Sequence, residues 1–107
     1  MTVFTVIITP SAEEDITESF LWGSEYWGVE MAIDWVNDFR FVIEEKLSRS
    51  PNRCAFAPEN DGSGRVFRQL LVGRYRVIFH IIETTIYVVH VRGSFSGETN
   101  TGLGIDL

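Results

Sequence analysis

Between Arg68 and Arg92 the chain reads RQLLVGRYRVIFHIIETTIYVVHVR, and apolar and polar positions alternate through it. Arg76, Ile78, His80 and Ile82 fall on one side of an extended chain. Tyr75, Val77, Phe79 and Ile81 fall on the other. A period of two predicts adjacent antiparallel strands at about 66–71, 75–82 and 86–91, turned at Val72–Gly73 and Glu83–Thr84. Upstream, the β-branched run 3–8 before Pro10 predicts a first strand. The period then lengthens to that of a helix. Ser11 followed by Glu14 has the spacing of a capping box, and acids fill the first turn. That first helix is expected to reach about Trp27, with Ile16, Phe20 and Tyr26 inward and Gly28 as its stop. Ala32, Trp35, Phe39, Ile43 and Leu47 recur at three and four, the apolar stripe of a second helix over 29–47, closed by Pro51.

The expected fold class is therefore α+β, in the order β-α-α-β-β-β, with a helical hairpin packed on one face of a small, mainly antiparallel sheet. Residues 1–95 are expected to form one domain, 52–64 a loop, and 96–107 a flexible tail. A chain of 107 residues with 45% hydrophobic content can bury one sizeable core.

Charge changes this picture by separating its two layers. The net charge is −6. Residues 1–52 hold ten acids against Arg40, Lys46 and Arg49. Residues 53–92 hold six arginines against Glu59, Asp61 and Glu83. The helices are acidic and the sheet is basic, so different faces should meet different partners. No apolar run approaches the roughly 20 residues of a membrane span, and the N-terminal stretch lacks a signal-peptide pattern. The single cysteine, Cys54, allows no internal disulfide. These features predict a cytoplasmic protein that does not engage a membrane.

The sequence carries no phosphate-binding glycine loop, no metal-spaced Cys/His cluster and no serine elbow, so neither metal nor cofactor is expected. Candidate chemistry sits on the sheet. If Glu83–Thr84 is a two-residue turn, His80 pairs with Tyr87, and His90 falls on the opposite face. Arg76, His80 and Tyr87 then share the face away from the helices. An arginine to hold phosphate, with His or Tyr to move protons, is what metal-free RNA cleavage needs. The same pattern is also that of an ordinary solvated sheet face. Trp22, Tyr26, Trp27 and Trp35 place four large aromatics in 14 residues, more than one hairpin readily buries, which suggests an apolar groove for a partner. Arg53 beside Cys54 could lower the thiol pKa, but a structural cysteine is the simpler reading.

The order and spacing of these elements resemble the RelE/ParE superfamily of toxins from type II toxin–antitoxin systems. The resemblance covers about residues 3–93. It rests on the opening ITPSAEEDI, on the second-helix pattern of Ala32, Phe39 and Leu47 with Ser50–Pro51 after it, and on RQLLVGRYRVIFHI followed by IYVVHVRGS. It implies a cognate antitoxin as partner, in a hetero-oligomer. ParE-like members, the plasmid-stabilisation type, inhibit DNA gyrase. RelE-like members cleave mRNA on the ribosome, and for that branch Arg76, His80 and Tyr87 are the candidate catalytic residues. Beyond Arg92 the chain reads GSFSGETNTG, without the basic or tyrosine residues of RelE-like members, so the ParE-like branch fits better. A non-toxic binding module on the same fold is the third alternative. Arg68, Arg74, Arg76 and Arg92, with Trp22, Tyr26 and Trp27, are the residues expected to meet target or antitoxin.

Overall fold

The computed structural model describes residues 3–58 and 65–93. The expected tail, and most of the glycine-rich part of the loop before it, lie outside these residues. The elements are β1 (Thr5–Ile8), α1 (Pro10–Trp27), α2 (Val29–Arg49), a 3-10 turn at Pro51–Arg53, β2 (Ala55–Phe56), β3 (Arg68–Val72), β4 (Tyr75–Ile82) and β5 (Thr85–Gly93). They form one five-stranded sheet in the order β1-β5-β4-β3-β2. β1 runs parallel to β5, and every other pairing is antiparallel. The expected order holds, with β2 as a short additional edge strand.

Helix boundaries follow local chemistry. Thr9, rather than Ser11, caps α1: its hydroxyl accepts from the Ala12 amide at 3.4 Å and donates to the Val88 carbonyl at 2.8 Å. Pro10 then takes the first helical position, where a missing N–H is no loss. Thr9 thereby joins the start of α1 to β5. Gly28 ends α1 at φ 97°, a region open to glycine, and its amide donates to the Ser24 carbonyl. The helix passes unbroken through Gly23, where a Cβ would stand 3.1 Å from the Trp27 ring. Between the helices Arg40 makes a two-pronged bond to Glu13, at 3.0 and 2.6 Å. Hydrogen bonding to Arg40 holds the Glu13 carboxyl below its usual pKa.

The core lies between the hairpin and one face of the sheet. Ala12 and Ile16 of α1 and Phe39, Ile43 and Leu47 of α2 pack on Tyr75, Val77, Phe79, Ile86, Val88 and Val91. Tyr26, expected inward, is 65% exposed at the end of α1. The hairpin turn is Gly73–Arg74, one residue later than expected, with Val72 paired to Tyr75. Gly73 has φ 59°, which a two-residue turn of this kind requires. Gly93 is buried beneath Tyr75: a Cβ there would meet the ring at 2.6 Å.

The sheet departs from strict alternation at one point. Phe79 pairs with Val88 but Ile78 pairs with His90, so Val89 is the extra residue of a β-bulge. The bulge reverses parity along the rest of β5. Val91 turns into the core, and His90 and Arg92 turn to the open face. The expected placement of His90 opposite His80 is thus overturned.

Candidate functional site

The face of the sheet away from the hairpin carries Gln69 and Leu71 from β3, Arg76, Ile78 and His80 from β4, and Tyr87, His90 and Arg92 from β5. Its cations gather at one end. Arg76 pairs directly across from Arg92, and Arg76 Nη1 donates to Gln69 Oε1 at 2.7 Å. Two arginines side by side repel, and a carboxylate stands beside them. Asp15 of α1 lies at the point where β1 has ended and β5 continues. Its Oδ2 accepts from the Val91 amide at 2.9 Å, and stands 3.4 Å from His90 Nδ1 and 4.0 Å from Arg92 Nη1. One side chain thus caps the exposed edge of β5 just past the bulge and steadies the two open-face residues flanking Val91.

His80 occupies the other end. It pairs with Tyr87, stacks on that ring at 5.4 Å, and meets Phe67 edge-on at 5.7 Å. The side chain is only 7% exposed. Burial, with the Arg65 guanidinium adding to it, holds the imidazole below the ordinary histidine pKa. Such a group loses stability as pH falls: the unfolded imidazole takes up a proton before the folded one can. Thermal unfolding between about pH 7.5 and 5.5 should therefore show a decline that is shallower in His80→Phe. Equal slopes for the two proteins would count against a neutral, buried His80.

Arg76, His80 and Tyr87 share a face, as expected, but do not converge. Four residues of strand separate Arg76 from His80, about 13 Å at 3.3 Å per residue. Arg76 leans sideways onto Gln69, while His80 is enclosed by two rings. His90 is the more accessible imidazole, and sequence alternation placed it on the wrong side.

Arg68 stands apart from these residues. It pairs with Phe79, a core residue, and so lies on the hairpin side of the sheet rather than on the face of Arg76. Its guanidinium donates to the Cys54 carbonyl at 2.7 Å and the Asn52 carbonyl at 3.3 Å, over the Phe56 ring. Arg68 fastens the 3-10 turn and β2 to the sheet. Burial raises the pKa of the Cys54 thiol, against the opposing fields of Arg68 and Lys46. A reactive thiolate is not what this site makes.

The aromatic residues build a separate groove of about 660 Å³ between the hairpin tip and the β3–β4 turn. Trp22 and Trp27 form one wall and Trp35 and Phe39 the floor. Val72 to Tyr75 form the other wall, with Arg74 and Asp38 as the charged groups. Trp22 contacts Tyr26 at 4.7 Å and Trp27 at 5.2 Å. Tyr75 closes the floor against Trp35 and Phe39. Arg74 thus belongs to this groove and not to the open face. Among the described residues no helix is long and apolar enough to cross a membrane.

No protein-family model and no curated protein matches the sequence. Solved structures do match the fold. A chain of the chromosomal ParDE toxin–antitoxin system of P. aeruginosa superposes with a TM-score of 0.70 over 85% of this chain and 96% of its own, at 17% identity. A chain of the RelBE2 toxin–antitoxin complex of Mycobacterium tuberculosis gives 0.59 over 87% and 93%, at 21% identity. This chain has the RelE/ParE toxin fold. The helical hairpin, the mixed sheet and the open sheet face are the parts of that fold on which the site residues stand.

Proposed function

We propose that this chain is the toxin of a toxin–antitoxin pair, ParE-like in inhibiting DNA gyrase and held inactive by a cognate antitoxin. The observation that carries the ParE-like branch is the failure of Arg76, His80 and Tyr87 to converge. Nucleolytic catalysis needs a phosphate-binding cation and a proton-transfer group within hydrogen-bond reach of one phosphodiester. Here the arginine is bonded to Gln69 and the imidazole between the rings is enclosed. The acidic net charge also opposes a chain that must approach a ribosome. The antitoxin would lay apolar side chains in the groove of Trp22 and Trp27, beside Arg74 and with the exposed Tyr26 next to Trp22, and acidic side chains on Arg76 and Arg92. Arg68 drops out of that surface because its guanidinium is spent on backbone carbonyls.

One observation favours a second reading. The bulge sets His90 beside Arg92 and Arg76, with Asp15 near its Nδ1, an arrangement that could orient an imidazole as a base. In a RelE-like ribonuclease His90 would then take the part that sequence spacing gave to His80. Inducing the chain alone in a bacterium carrying a DNA-damage reporter separates the readings. Growth arrest with a strong reporter signal is the expected result, and purified chain should stall gyrase supercoiling of plasmid DNA. Arrest without the signal, with mRNA cleavage lost in His90→Ala, would replace the gyrase reading by the ribonuclease. Undisturbed growth would reduce the chain to a binding module.

A further inference from the structure

The Trp-lined groove holds two charged groups that the chain itself does not use. Asp38 stands on α2 and Arg74 on the β3–β4 turn, and both line the groove. Both are exposed. Among the described residues neither makes a hydrogen bond, an ion pair or a ring contact. Aromatic walls with a carboxylate beside them suit a guanidinium, whose flat face stacks on the rings while its edge bonds to the acid. The groove thus fits an arginine, and an unused arginine stands at its lip.

Arg74 sits with Gly73 on a tight two-residue turn, and the glycine keeps that tip slim. At about 660 Å³ the groove has the volume of sites that enclose a small ligand. Knob and hole therefore lie side by side on one surface. Two copies can then dock reciprocally about a two-fold axis, each turn entering the other's groove. Apolar surface surrounds the contact, since Tyr26, Trp27 and Met31 are all exposed. Met31, Trp35, Asp38 and Val42 recur at four, three and four along α2, one stripe that leads into the groove. Charge favours the same arrangement. The hairpin is the acidic half of the chain and the strands are its basic half. The groove runs along their border, so a two-fold contact sets the acidic wall of each copy over the basic turn of the other.

We propose that the Trp-lined groove is a self-association site: the β3–β4 turn of a second copy enters it, and the Arg74 of that copy stacks on the tryptophans and bonds to Asp38. The contact forms twice, once in each groove. Tryptophan, tyrosine and arginine are the residues that carry most of the energy in protein interfaces. On the function proposed above, apolar side chains of the antitoxin use the same groove, so antitoxin and second copy exclude one another. Self-association does not itself depend on that function.

Sedimentation equilibrium of the full chain, from micromolar to millimolar concentration, tests this. The wild type is expected to pass from monomer to dimer. Asp38→Arg alone, or Arg74→Asp alone, turns both symmetric contacts into repulsions and should weaken the dimer about tenfold, or about 1.4 kcal/mol. Both residues are exposed and unbonded within the chain, so both variants should melt like the wild type. Mixed in equal amounts, the two variants should dimerise again, because each opposed pair regains one acid and one guanidinium. A wild type that stays monomeric at millimolar concentration overturns the proposal. So does a dimer indifferent to either reversal, which would place the contact on another face. A mixture no more dimeric than its components overturns it as well. Neither antitoxin nor gyrase is present, so failure here leaves the proposed function standing.

Discussion

Phe79→Ala is expected to lower the folding free energy by about 3–5 kcal/mol, the range for emptying a fully enclosed aromatic site. Phe79 is completely buried at the centre of β4. It shares a core with Ile16, Phe39, Ile43 and Val88, drawn from both helices and the neighbouring strand. These elements are tied to each other and cannot close the void. For a domain of this size the loss corresponds to a fall of roughly 15–30 °C in Tm. A domain stabilised by about 5–15 kcal/mol would be left marginal. Calorimetry or circular-dichroism melts give the answer directly. A fall of only a few degrees would mean that the hairpin re-seats on the sheet, and that the core is looser than its burial implies.

Asp15→Ala is expected to cost about 2–3 kcal/mol and to act on the open face as well as on stability. The carboxylate accepts from the Val91 amide on the edge of β5. Alanine leaves that edge amide without its protein acceptor and removes a charge-assisted bond, each worth about 1–3 kcal/mol. It also removes a negative charge from beside Arg92, which stands across from Arg76. Asp15→Asn keeps an acceptor and should recover most of the stability, but not the charge. Denaturant unfolding of the two variants separates the terms. If Ala and Asn destabilise equally, the effect is electrostatic and the edge bond contributes little. On the function proposed above, binding to antitoxin or gyrase should weaken more than stability accounts for, because His90 and Arg92 lose the group that steadies them.

The same strand shows where reasoning from sequence stopped. Strict alternation along IYVVHVR would send His90 and Arg92 under the hairpin, where an unpaired charge is costly. One extra residue at Val89 keeps Val91 in the core and releases both polar residues to the open face. The order of apolar and polar positions already contained that signal: Ile86, Val88 and Val91 are the apolar set, and they are not evenly spaced. Asp15 was legible only as a favourable acid near a helix start. Its contact with β5 spans 76 residues of chain and exists only once α1 lies against the sheet edge.

The sequence by itself determined the elements, their order and the composition of the core. Hydrophobic period specifies strand or helix locally, and the inward set follows from that period except past the bulge of β5 and at Tyr26. It also determined the separation of charge between hairpin and sheet. The tertiary structure alone decided which polar residues act together. Arg68 and Arg76 lie eight residues apart with the same chemistry, yet the turn between β3 and β4 sends one to the backbone of Asn52 and Cys54 and the other to the open face. Asp38 and Arg74 come to line one groove only because the hairpin tip lies beside the β3–β4 turn. Grouping of this kind depends on register and on which strand lies at an edge. Those are fixed by contacts between distant segments, and local pattern does not encode them.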